Sequence, residues 1–76
     1  MKFTFQNLQT RPVRLGIEPW AMAEPVPPDG KVQFEVSDSP PPEIEFALTE
    51  NGDPVIWVVS DIVRFRAQGK DREFKT

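Results

Sequence analysis

Neither His nor Cys occurs in this 76-residue sequence, so acid–base, nucleophilic or metal chemistry would fall to carboxylates and hydroxyls. Glu43 and Glu45 are the best-placed carboxylate pair, two residues apart on one face of a predicted strand. General acid–base work by a carboxylate needs burial or a close like charge, and that face should be wet. Ser37, Ser39 and Ser60 have no imidazole to activate them. Zinc and copper lack their usual ligands where imidazole and thiolate are both missing. Glu50, Asn51 and Asp53 flank Gly52, but three groups in a tight hairpin fall short of the six to eight oxygens that calcium takes. The expectation is no enzyme, no catalytic or metal-binding residue, and no cofactor.

The charge pattern bears on partners. Net charge is −3, with Lys2, Arg11 and Arg14 near the start, an acidic middle holding Lys31 as its single base, and a basic end. Terminal strands lying beside central ones would make cross-strand ion pairs rather than a patch. Nucleic acid is disfavoured, because a single-strand site needs a basic groove with several aromatics on one face. Here Phe3, Phe5, Phe34 and Phe46 alternate as core residues, and Arg64 and Arg66 have Glu73 and Asp71 available.

What must position these groups is β-structure. Apolar residues recur with a period of two in Phe3/Phe5, Val13/Leu15/Ile17, Val32/Phe34/Val36, Ile44/Phe46/Leu48, Val55/Trp57/Val59 and Val63/Phe65. The fold class is all-β: a single domain over 1–76, built as a compact antiparallel sandwich or partly closed barrel of six to seven short strands. Strands are predicted over Lys2 to Leu8, Val13 to Glu18 and Val32 to Val36, with Glu18 to Val26 a loop or an edge strand. Pro27-Pro28-Asp29-Gly30 reads as a turn in which Gly30 takes the left-handed conformation. Ser37 to Pro42, with three successive prolines, reads as a connection crossing from one sheet to the other.

Two hairpins are specified more closely. A two-residue turn at Asn51-Gly52 would oppose Leu48 to Val55, Phe46 to Trp57 and Ile44 to Val59, three apolar pairs on one face. Ile56 and Val58, apolar on the opposite face, mark that strand as central or covered on both sides. A second two-residue turn at Gln68-Gly69 would oppose Arg66 to Asp71, Arg64 to Glu73 and Val63 to Phe74.

Trp20 is the remaining candidate, as a plug closing one end of the core or as an exposed binding aromatic. It belongs to the run Val13-Arg14-Leu15-Gly16-Ile17-Glu18-Pro19-Trp20. With Val26-Pro27-Pro28-Asp29-Gly30, Ile56-Trp57-Val58 and Gly69, this order resembles small bacterial all-β proteins of unassigned function that share a Glu-Pro-Trp segment and a Pro-Pro-Gly-like turn. The resemblance implies a small bacterial β-protein and supplies no activity, cofactor or catalytic residue.

A chain without Cys has no need of an oxidising compartment, and neither a signal-peptide run nor a membrane span of roughly 20 apolar residues is present in the sequence. A soluble cytoplasmic accessory or protein-interaction module with an unknown protein partner is the expected function. The alternative is a small-ligand or carbohydrate-binding module using an exposed Trp20.

Overall fold

A computed structural model describes residues 1–60, 62–67 and 70–75, with residues 62 and 70–75 described by their backbone. Eight strands fill the described residues: β1 (Lys2–Gln6), β2 (Val13–Glu18), β3 (Met22–Val26), β4 (Lys31–Val36), β5 (Glu43–Leu48), β6 (Pro54–Val59), β7 (Ile62–Ala67) and β8 (Lys70–Lys75). The first sheet has the order β1-β4-β7-β8 and the second β3-β2-β6-β5. They pack face to face as an open sandwich, and Ser37 to Pro42 carries the chain from one sheet to the other. The Cα trace measures 37 × 27 × 17 Å. The short dimension suits two layers stacked about 10 Å apart, which leaves the outer face of each sheet to solvent.

The pairing is antiparallel except between β2 and β6, which run parallel with Ile17 opposite Ile56 and Glu18 opposite Trp57. The all-β sandwich is as expected, with one parallel pair and an eighth strand in addition. Met22 to Val26 forms an eighth strand at the edge of the second sheet, where the missing N–H of Pro25 is tolerated. β1 also stops at Gln6 rather than Leu8.

Leu15, Ile17, Phe34, Ile56, Val58 and Val63 are almost wholly buried between the sheets. Each such side chain contributes about 1.5 to 3 kcal/mol through apolar burial. A row of rings crosses the first sheet's inner face: Phe3 stacks on Phe34 at 4.8 Å, and Phe34 meets Phe65 at 6.0 Å. Both contacts follow from the register, which opposes Phe3 to Phe34 and Phe34 to Phe65.

The β5–β6 hairpin departs from expectation by one residue. Phe46 faces Ile56, Ile44 faces Val58 and Leu48 faces Pro54. Of Asn51 and Gly52, only Gly52 has a positive φ, of 81°, whereas a two-residue type I′ turn needs one at both. The loop is instead Glu50, Asn51 and Gly52, with the Gly52 N–H donating to the Thr49 carbonyl at 2.9 Å and the Thr49 N–H to that of Asp53 at 2.9 Å. This is the three-residue connection with a left-handed final residue.

A one-residue slip turns every side chain of a strand over, so Val55, Trp57 and Val59 point outward and Ile56 and Val58 inward. Pairing with β2 enforces the choice. Residues opposite one another across a sheet share a face, and Glu18 cannot enter the core, so neither does Trp57.

The Pro27–Gly30 turn closes with the Gly30 N–H donating to the Pro27 carbonyl at 2.8 Å. Its left-handed residue is Asp29, with φ 62°, and not Gly30. Gly30 serves a different need: a Cβ there would lie 2.9 Å from both Cδ and the carbonyl oxygen of Pro27. In the last hairpin the register opposes Arg66 to Asp71, Arg64 to Glu73 and Val63 to Phe74, as predicted. The turn at Gln68 and Gly69 and the side chains of β8 lie outside the described residues.

Candidate functional site

Of the six large apolar side chains left in solvent among the described residues, four lie on one hairpin, with Met1 and Leu8 elsewhere. Among the described residues, Phe46 is 68% exposed, Leu48 75%, Trp57 46% and Val59 60%, all on β5 and β6. They serve two surfaces. Trp57 and Val59 stand on the outer face of the second sheet, with Val55 completing that side of β6. Phe46 and Leu48 are on the inner side of β5, but β5 is an edge strand and they overhang the core rather than enter it. The Phe46 ring meets that of Phe3 edge-on, at 6.3 Å and 82°. The expectation that Phe46 is a core residue fails here, because an edge strand has a facing sheet over part of its width only.

Carboxylates frame this surface. Glu18 and Glu45 stand directly opposite Trp57 from the strands on either side, and Glu43 stands opposite Val59. Among the described residues, none of these three glutamates has an ion-pair partner. Glu43 and Glu45 therefore share one face as expected, and that face is open to water. Gly16 lies between Ala23 and Val55, so a row of small side chains runs across the sheet beside the indole.

Both sheets carry charge of both signs, with Arg14 on β2 and Glu35 on β4. The cations of β1 and β7 lie in the first sheet, where Glu35 receives Lys2 at 3.5 Å and Arg64 at 3.2 Å. The expected cross-strand pairing is present in that row, while the glutamates of β2 and β5 are in the other sheet and out of its reach. A surface depression of about 370 Å³ lined by Met1, Lys2, Glu35, Asp38 and Arg64 has its charges engaged in the same way: the N-terminal ammonium meets Asp38 at 2.7 Å.

Trp20 lies in the turn between β2 and β3, half-buried and packed against the core. Ser60 is buried and donates to the Ser37 carbonyl at 3.4 Å, while Ser37 donates to that of Ser39 at 3.1 Å. Asp53, in the loop considered for calcium, accepts from the Arg14 N–H at 3.2 Å and lies 3.9 Å from the Arg11 guanidinium. Asn51 gives its carbonyl to Arg11 at 3.2 Å.

Residue typing passes over Asn7, yet it is 2% exposed. Its amide donates to the carbonyls of Arg11 at 2.8 Å and Val26 at 3.1 Å, and its Oδ1 accepts from the Gln9 N–H at 3.0 Å. Every buried side-chain nitrogen and oxygen among the described residues has a partner. Among those residues, no helix is long and apolar enough to cross a membrane.

No family model, curated protein or solved structure matches this chain.

Proposed function

We propose that this chain is a small non-catalytic interaction module that docks a protein partner on the β5–β6 side of its second sheet. The observation carrying this reading is the concentration of exposed Phe46, Leu48, Trp57 and Val59 on a single hairpin. Large exposed apolar residues gathered on one element mark an interaction site, whereas scattered single residues do not. Here Trp57 and Val59 lie on the outer face and Phe46 and Leu48 on the inner side of the same hairpin. The glutamates framing Trp57 supply a polar rim. A chain free of Cys suits the cytoplasm as the place of that encounter. The alternative, ligand or carbohydrate binding through an exposed Trp20, has less support, since that ring packs against the core.

A photo-crosslinking residue placed at Val59 tests the reading against one at Gln33, on the outer face of the other sheet. The expected result in the native cell is a discrete protein adduct from position 59, none from position 33, and loss of the adduct with Trp57→Ala. Equal labelling from both positions, or none from 59, would overturn it.

A further inference from the structure

We propose that β5 is a template for strand addition, and that the partner supplies an extended segment alternating basic and apolar residues. This inference rests on the interaction reading above and states its mode and chemistry. β5 ends the second sheet, so its far side pairs with no strand among the described residues. The Thr49 N–H bonded to the Asp53 carbonyl starts the hairpin ladder. Antiparallel ladders alternate bonded and non-bonded pairs, which sends the N–H groups of Glu43, Glu45 and Ala47 toward β6. Those of Ile44, Phe46 and Leu48 point to the open edge.

Natural edges are blunted by charged side chains, lysine above all, by proline or by bulges. β3 carries Pro25 and β1 carries Lys2, but Glu43–Leu48 contains no proline and no base. Its two faces define what could join it. On the outer face stand Glu43 and Glu45, with no ion pair among the described residues. On the inner face stand Ile44, Phe46 and Leu48, the last two open to solvent.

An added strand sends alternate side chains to the two faces. Lys or Arg on one side would meet the glutamates, and apolar residues on the other would cover Phe46 and Leu48. A second copy is the weaker occupant. β5 paired with itself places the Glu43/Glu45 face against its own kind, and like charges directly opposite are destabilising.

The probe is a capped seven-residue peptide alternating lysine and valine, titrated into the whole chain and followed by amide NMR and hydrogen exchange. With the peptide saturating, the Ile44, Phe46 and Leu48 amides should exchange about tenfold more slowly, and that of Gln33 should not change. A glutamate–valine peptide should leave all four unchanged. The E43K/E45K double variant should bind the basic peptide roughly tenfold more weakly.

Peptide-induced shifts confined to Trp57 and Val59, without slowed exchange at the three edge amides, would overturn strand addition. So would concentration-dependent slowing without peptide, which would assign the edge to a second copy. Failure of the basic peptide to bind, with crosslinking from position 59 intact, would reject this inference and leave the interaction reading standing.

Discussion

Phe46 of β5 stands directly opposite Ile56 of β6, one residue short of Trp57. That single offset decides which of two apolar faces of β6 is core and which is surface, because pairing in a sheet carries the whole strand with it. The expected observation is a strong contact between the α-protons of Phe46 and Ile56, since theirs is a non-bonded pair with close backbones. A contact from Phe46 to the α-proton of Trp57 in its place would refute the register.

The same offset predicts unequal costs of truncation. Ile56→Ala removes a fully buried side chain and should cost about 2 to 5 kcal/mol, a large part of the roughly 4 to 11 kcal/mol expected for a domain of this length. Trp57→Ala, despite its larger volume, should cost less than half as much as Ile56→Ala. Urea midpoints of the two variants check the order, and a Trp57 variant as unstable as the Ile56 one would contradict it.

Trp20→Ala should act on stability. The ring is packed against the core but not sealed within it, so the loss should lie at or below the lower end of the roughly 3 to 5 kcal/mol typical of buried tryptophan. An unchanged thermal midpoint would mean that the ring contributes nothing to the core.

Positive φ at Ala21 (53°) and Asp29 (62°) places two non-glycine residues in the left-handed region. Ala21→Gly and Asp29→Gly should each stabilise the fold by about 0.5 to 1 kcal/mol, Ala21 the more, since Asp tolerates this conformation better than Ala. Gly30→Ala, one residue along, should destabilise it because its Cβ would meet Pro27 at 2.9 Å. Thermal unfolding of the three variants should move in these opposite directions.

Asn7→Ala should cost about 2 to 3 kcal/mol, leaving the Val26 carbonyl, the Arg11 carbonyl and the Gln9 N–H without their side-chain partner. Restored exchange at the Gln9 amide would locate the damage. A loss under about 0.5 kcal/mol, the range of an ordinary surface change, would show that water replaces the side chain there.

Period-two alternation and turn chemistry in the sequence determine an all-β chain, the extent of β2, the crossing at Ser37 to Pro42 and the register of β7 against β8. In β2 and β7 one face is apolar and the other largely polar, so local pattern and global burial agree. β6 is different, since Val55, Trp57 and Val59 on one side and Ile56 and Val58 on the other are both fit for a core. The period is clear but the face is not. Only the parallel pairing with β2, which sets Trp57 beside Glu18, makes the choice. The exposure of Phe46 and Leu48 is likewise tertiary: it depends on β5 being an edge strand that overhangs the facing sheet. The burial of Asn7 depends on three backbone segments that meet only in the folded chain. The candidate surface was therefore hidden from the sequence, because the contacts that define it are between strands distant along the chain.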